Sequence, residues 1–341
     1  MRIIVDAMGG DHAPLAPVQG ALEAQKLHGV DITLVGREAD ILDALKGCGV
    51  SELPAGVEIR NATEVVEICD DPATAFKKKK DSSLTVGLTM LRDGEGDAFV
   101  SAGSTGALLS GATLVTKRIR GVRRACMAPV IPTAVGRAVL CDCGANAECS
   151  VEYLTQFALL GSFYAKSALG LEKPRVGLLN IGAEPSKGDT LRQETWKALQ
   201  EMHEKGMLCF VGNVEPKEAM FGGADVIVAD GFAGNVMLKT MEAVGSFVGK
   251  ELKVMFKENP LSMLAALLVK GGLSKFKAKM DPNKVGGTAI LGISKPVIKA
   301  HGSSNAEAIC NAIRQAAATA EADIAGEMTK KIQLLQAENA E

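Results

Sequence analysis

Residues 97–116 read DAFVSAGSTGALLSGATLVT, and this stretch decides the fold class. DAFVS (97–101) is a short apolar run of strand character, SAGSTGA turns the chain, and 104–116 carries a helical apolar pattern. Strand, glycine-rich loop and helix in that order are the repeating part of βαβ units. The order recurs in both directions. Toward the amino end, RIIVD (2–6) predicts a strand, AMGGD a loop, and a helical pattern runs to about Leu27 and closes at Gly29. Strands follow at 31–35 and 57–60, with a helix at 37–46, and Asp81 is the predicted N-cap of a helix over 82–92. Toward the carboxyl end, strands are predicted at 125–131, 137–142, 175–181, 207–212 and 224–229, and helices at 150–168, 188–204 and 233–257. Ser304 and Glu307 have capping-box spacing ahead of a face formed by Ile309, Ile313, Ala317, Ala320 and Ile324. Residues from 326 onward are polar and read as a frayed tail. Together these predict an α/β protein, a three-layer α/β/α sandwich on a mixed, mostly parallel sheet with Rossmann-like topology. It reads as one domain over 1–327 with a polar tail at 328–341.

Composition agrees with that class. The 341 residues are 47% hydrophobic, contain 37 glycines and only 4% aromatics, and carry a formal net charge of −2. A chain this apolar builds a core, and the scarcity of aromatics disfavours a nucleic-acid reader based on base stacking. Near-neutral charge gives no global attraction to nucleic acid or to membrane. The eight cysteines form no C-x-x-C pair. Cys141, Cys143 and Cys149 lie close in sequence without a histidine nearby, so they read as small buried thiols of a reduced cytosolic protein, with no metal expected. MRIIVDAMGG enters a strand directly, so no secretory signal is expected, and no apolar run approaches a membrane span.

Five loops each follow a predicted strand: DAMGGD (6–11), SAGSTGA (101–107), DCGAN (142–146), NIGAEPSKGD (180–189) and DGFAGN (230–235). In open α/β sheets ligands bind beyond the carboxyl ends of the strands. Glycine lets backbone approach a ligand closely, and a following helix turns free N–H groups and a partial positive charge toward it. One such loop is ordinary turn chemistry; five point to an anion site. Neither G-x-x-x-x-G-K-[ST] nor a G-x-G-x-x-G fingerprint with its later acid is present, so no nucleotide cofactor is expected. Candidate anion-binding residues are Asp6, Gly9, Gly10, Asp11, Ser101, Gly103, Ser104, Thr105, Gly106, Asn146 and Gly182. Lys187 and His301 are the charges near these loops that could pair with phosphate or an oxyanion, and His301 reads equally as a satisfied structural imidazole. Asp6, Asp11, Asp142 and Asp230 would repel a dianion; they tie down loop N–H groups, orient Lys187 or His301, accept a proton, or hold Mg²⁺.

Two surface features point to partners. KRIRGVRR (117–124), with Arg118, Arg120, Arg123 and Arg124, reads either as a solvated face or as a dock for an acidic protein. Residues 260–280, PLSMLAALLVKGGLSKFKAKM, place Leu261, Leu264 and Leu268 ahead of Lys270 and Phe276. They read either as a buried helix or as a segment lying in an anionic membrane interface.

VDAMGGD, KKDSS, FVSAGSTGA, CDCGAN, NIGAEPSKG, GNVEP, ADGFAGNV and KAHGSS together resemble the bacterial phosphate acyltransferases of the PlsX type, over roughly 1–325. The resemblance implies a fold like that of isocitrate and isopropylmalate dehydrogenases and of phosphotransacetylases, and a homodimer without a nucleotide cofactor. It implies transfer of a fatty acyl group from acyl carrier protein to inorganic phosphate. The enzyme would be cytoplasmic and peripherally membrane-associated, passing acyl phosphate to a membrane glycerol-3-phosphate acyltransferase. On that reading Lys187, His301 and Asn235 are the oxyanion donors and Asp230 orients one of them. The rivals are a metal- and NAD(P)-dependent decarboxylating dehydrogenase and a non-catalytic acyl- or lipid-binding protein.

Overall fold

RIIVD forms β1 (Arg2–Asp6), buried on both faces from its second residue, as a central parallel strand must be. The computed structural model describes residues 1–280, 284 and 286–338. After β1 come α1 (Leu15–His28), β2 (Asp31–Gly36), α2 (Glu38–Gly47), β3 (Val57–Asn61), α3 (Ala75–Lys78), α4 (Ser83–Asp93), β4 (Ala98–Ser101) and α5 (Thr105–Gly111). α5 widens into a π-helical stretch, Ala112–Lys117. The chain continues through β5 (Cys126–Ala128), β6 (Val130–Pro132), β7 (Arg137–Cys141), α6 (Val151–Leu169), β8 (Arg175–Leu179), α7 (Thr190–Glu204), β9 (Cys209–Val214), α8 (Pro216–Met220), β10 (Val226–Val228) and α9 (Gly231–Lys257). Then follow α10 (Pro260–Leu268), α11 (Lys270–Met280), β11 (Thr288–Leu291), β12 (Val297–Lys299), α12 (Ala306–Glu321) and α13 (Ile324–Glu338).

The strands divide between two sheets, where the sequence suggested one. The larger has the order β3-β2-β1-β4-β12-β11-β5, parallel except for β11; the smaller has the order β6-β7-β10-β8-β9, parallel except for β6. Pro129 alone separates β5 from β6, so two consecutive short strands enter different sheets. One apolar cluster draws on both, with Val5, Ile32, Val100 and Ala128 from the first and Val139, Val176 and Val226 from the second. α6 packs on β7 and β10 and also meets β11 and α12, burying Phe157, Leu160 and Tyr164 completely. The path β1–β2–β3 runs outward and then returns to β4 on the other side of β1. That places a topological switch point between β1 and β4, where parallel sheets open a crevice at their carboxyl ends.

Several boundaries differ from expectation for local reasons. Ser82, not Asp81, caps α4, because the Asp81 carboxylate is taken by the Thr63 N–H and hydroxyl. Asn305 caps α12 by accepting from Ala308 N at 2.9 Å, so Ser304 and Glu307 form no capping box there. The tail expected to fray is α13: Met328 is wholly buried and Ile332 nearly so, two apolar residues one helical turn apart.

Candidate active site

The switch point is built from three loops that touch. Asp6, at the end of β1, is buried and accepts from the Met8 N–H at 3.1 Å and from the Ser101 hydroxyl at 2.6 Å. Ser101 in turn accepts from the Gly103 N–H at 3.0 Å. Gly9 is required by contact: a Cβ there would stand 2.6 Å from both Asp6 Oδ2 and Gly103 N. Gly10, at φ 103°, passes over Ala102 and the Gly302 carbonyl, and the Asp11 N–H donates to that carbonyl at 2.8 Å. Ser104 caps α5, whose first residue Thr105 is exposed; Gly106 is explained by Pro72, 2.8 Å from where its Cβ would lie. Burial pushes the Asp6 carboxyl up, against hydrogen bonds from Ser101, Ser83, Met8 and Gly9.

Beneath these loops lies a residue the sequence reading passed over. Lys299 ends β12 and is buried, its ammonium donating to the carbonyls of Ala102 (3.2 Å) and Ala300. Burial pulls its pKa down to about 8, while Asp6 and Asp11 pull it back up. The signal was a lysine closing an apolar run, VIK, inside the quoted KAHGSS motif. His301, two residues on, is exposed and its Nδ1 lies 2.9 Å from the Ser303 hydroxyl. A cleft of about 320 Å³ opens beside Gly10, lined also by Met8, Arg37, Thr63, Val65 and Glu67.

A second group stands at the carboxyl ends of β7, β8 and β10. Asp142 is fully buried, and its oxygens accept from the N–H groups of Met127 (2.8 Å), Cys143 (2.6 Å) and Asn146 (2.7 Å) and from Asn146 Nδ2 (3.0 Å). Asn146 also donates to the Ala125 carbonyl, so its amide acts as a strut between β5 and the 142–146 loop. Asn180 holds the next loop through the Lys187 carbonyl at 3.1 Å. Gly182 leaves room for the Lys187 stem, whose Cγ is 2.8 Å from where a Cβ would sit; Lys187 itself is exposed. Asp230 caps α9 through Ala233 N at 2.9 Å and pairs with Arg192, which also bridges to Asp189 at 2.7 Å. The orienting partner of Asp230 is thus Arg192, not Lys187, His301 or Asn235. The hint was an arginine three residues after the Asp189 cap. Asn235 is exposed in the first turns of α9, beside Gly144. The structure therefore groups Lys187, Asn235 and Asp230 on the smaller sheet and His301 on the larger. Among the described residues no hydrogen bond or ion pair joins His301 to the other three. No three His, Cys, Asp or Glu among the described residues converge as metal ligands.

A family profile described as "Fatty acid synthesis protein" matches residues 1–327. A phosphate acyltransferase from Thermoanaerobacter pseudethanolicus is 45% identical over 334 residues, covering 98% of each chain. The chain belongs to the phosphate acyltransferase family. Among solved structures, this family member is similar to the EutD phosphotransacetylase from Staphylococcus aureus, with a TM-score of 0.64, 18% identity and 94% of each chain covered. A phosphotransacetylase from Streptococcus pyogenes gives a TM-score of 0.66 at 17% identity, again over 94% of each chain. At such identities the likeness is one of fold: mixed, mostly parallel sheets covered by helices.

On the surface of this acyltransferase, Arg118, Arg120, Arg123 and Arg124 are all exposed, while Ile119 and Val122 between them are buried. Arg123 is paired with Glu152 at 2.8 Å and Arg124 lies over the Tyr153 ring; Arg118 and Arg120 have no ion pair among the described residues. α10 buries nothing: Leu261, Leu264 and Leu268 are 79%, 55% and 80% exposed. Lys270 and Phe276 are exposed on α11. No helix among the described residues is long and apolar enough to cross a membrane.

Proposed function

We propose that the enzyme moves a fatty acyl group from the thioester of acyl carrier protein to inorganic phosphate, yielding acyl phosphate and the free carrier thiol. The observation that carries this reading is the meeting of the 6–11, 101–106 and 299–305 loops at the switch point of a family member whose named relatives are phosphate acyltransferases. Phosphate is held over the first two loops, and the thioester lies beside 180–189 and 230–236. A phosphate oxygen attacks the carbonyl carbon and the carbonyl electron pair moves onto oxygen. Collapse of the intermediate expels the thiolate, which takes up the proton that phosphate gives up. Phosphate is already a competent nucleophile, so alignment does most of the work and supplies several kcal/mol, roughly. Lys187, Asn235 and His301 are the donors to the developing oxyanion, where one donor contributes about 3–4 kcal/mol.

The finer parts of the proposal each rest on a feature of the surface. The exposed Arg118 and Arg120, with Arg123 and Arg124, suit the acidic face of the carrier protein. The unburied α10 with Lys270 and Phe276 suits an anionic membrane surface, from which acyl phosphate passes to a membrane glycerol-3-phosphate acyltransferase in phospholipid synthesis. A cytoplasmic homodimer, and kinship of the fold with isocitrate and isopropylmalate dehydrogenases, belong to the same proposal and are tested by sedimentation and by superposition.

The deciding experiment mixes the purified chain with phosphate and either acyl carrier protein thioester or a small acyl thioester, following free thiol and acyl phosphate. Stoichiometric appearance of both is expected. Binding of the thioester without thiol release would reduce the protein to an acyl-binding module. Charge reversal at Arg118 and Arg120 is expected to slow the carrier thioester more than the small one, and an equal effect on both rejects docking there.

A further inference from the structure

We infer that Lys299 is a positioning residue for the phosphate nucleophile: from beneath the loops it offsets Asp6 and Asp11 and fixes the carbonyls of Ala102 and Ala300, so that these strand tips accept a dianion. The inference rests on the reading above that phosphate is bound at the switch point. The difficulty it answers is electrostatic. The tips of β1, β4 and β12 present backbone carbonyls together with the carboxylates of Asp6 and Asp11, a negative field where the reaction needs an anion. Among the described residues the buried charged side chains are Asp6, Asp142, Asp230 and Lys299, so Lys299 is the one buried cation. Asp142 is answered by backbone N–H groups and Asp230 by Arg192, both on the smaller sheet. On the larger sheet Asp6 accepts from the Met8 N–H and the Ser101 hydroxyl, and Lys299 is the buried cation that acts on it at longer range.

Its hydrogen bonding shows more than structural use. An ammonium has three donors. Two are spent on the carbonyls of Ala102 and Ala300, and the third has no partner among the described residues. A buried ammonium is ordinarily neutralised by a carboxylate in ion-pair contact. Here Asp6 and Asp11 act on it only at longer range, so the local charge is complete only when an anion arrives. Ala102 and Ala300 are in turn tied to the anion loops: Gly10 packs on Ala102, and the Ala300 N–H donates to the Ser101 carbonyl at 2.9 Å. Moving the lysine therefore moves both loops.

The test is calorimetric titration of the whole chain with inorganic phosphate, alongside steady-state kinetics, for wild type, Lys299→Met and Lys299→Arg. Lys299→Met is expected to weaken phosphate at least about tenfold, in Kd and in KM for phosphate, with KM for the thioester unchanged; Lys299→Arg is expected to recover most of the affinity. A folded Lys299→Met that binds phosphate as wild type does overturns the inference, as does a loss shared equally by the thioester. Should Lys299→Met fail to fold, the pH profile decides. Wild-type affinity for phosphate should fall between about pH 7.5 and about pH 9.5 as the ammonium loses its proton, and Lys299→Arg should not follow. The charges facing Lys299 are Asp6 and Asp11, and none from β4, β11 or α12 acts on it. His301, two residues on in the same segment, is exposed. Parallel profiles overturn the inference. A wild type that binds phosphate yet releases no thiol would remove acyl transfer and leave the inference standing; unchanged variants of an active wild type would remove the inference alone.

Discussion

Lys187 and Lys299 are both lysines at strand tips, and they show what a sequence reveals about single residues. Lys187 stands in a glycine-rich loop, exposed, and was legible as a charge near the chemistry. Lys299 ends an apolar run, and nothing in the letters VIK distinguishes a buried ammonium from a solvated one; burial is set by β4 and β11, which flank it from elsewhere in the chain. The two should respond oppositely to mutation. Lys187 is exposed and has no ion pair among the described residues, so the melting temperature of Lys187→Ala should match wild type. Its kcat/KM should fall roughly 10²–10³-fold if the ammonium faces the oxyanion; an unchanged rate removes Lys187 from the site. Lys299, besides its bearing on phosphate, bears on stability. Its folded pKa of about 8 lies below the ordinary 10.5. Below about pH 8 both states hold the proton and the fold carries a buried charge. Between about pH 8 and about pH 10.5 the unfolded chain holds the proton and the folded chain does not, so stability rises with pH. Wild type should gain up to about 3 kcal/mol on Lys299→Met across that window, read from denaturant unfolding at its two ends. A constant difference would show that burial does not perturb this lysine.

Elements were legible where they are long or apolar throughout. The strand–loop–helix alternation, α6 and the start of α9 follow from periodicity and caps. β11 and β12 were missed because four residues after Gly286-Gly287 and three after Lys295-Pro296 are too short for any period, and their strand character comes from β4 and β5. α13 was missed because its polar majority hides the one face that carries Met328 and Ile332. Helix α9 makes the sharpest claim at this scale. Its first turn rests directly on the Asp142 loop: the Gly231 N–H donates to the Asn146 carbonyl at 2.7 Å, and a Cβ on Gly234 would fall 2.0 Å from the Asp142 carbonyl oxygen. Backbone cannot yield as a side-chain end can. Gly234→Ala should therefore unseat the helix from the loop, costing at least about 2 kcal/mol in denaturant unfolding and lowering thiol release together with it. A variant as stable as wild type would show that α9 can slide along its seat.

At the scale of the whole molecule, the division into two sheets was hidden for a physical reason. A hydrophobic run announces a strand but not its neighbour, and the change of sheet occurs across Pro129 alone. What the sequence did mark is the surface the fold leaves uncovered. The apolar stretch at 260–268 was legible as amphiphilic excess, and its two readings, buried helix or interfacial segment, diverge in one measurable respect. α10 has no buried residue, and exposed Val244 and Phe247 extend the apolar surface along α9. Removing its leucines should therefore leave the described fold intact while removing area available to a lipid surface. Leu261→Gln, Leu264→Gln and Leu268→Gln combined should melt within about 1 °C of wild type, because surface changes of this kind lie near zero in stability. Each fully buried leucine contributes about 1.5–3 kcal/mol, so even partial insertion predicts at least a tenfold loss of flotation with anionic vesicles. If the triple variant instead loses stability and changes its sedimentation while vesicle binding stays the same, α10 is covered by another copy of the chain and not by lipid.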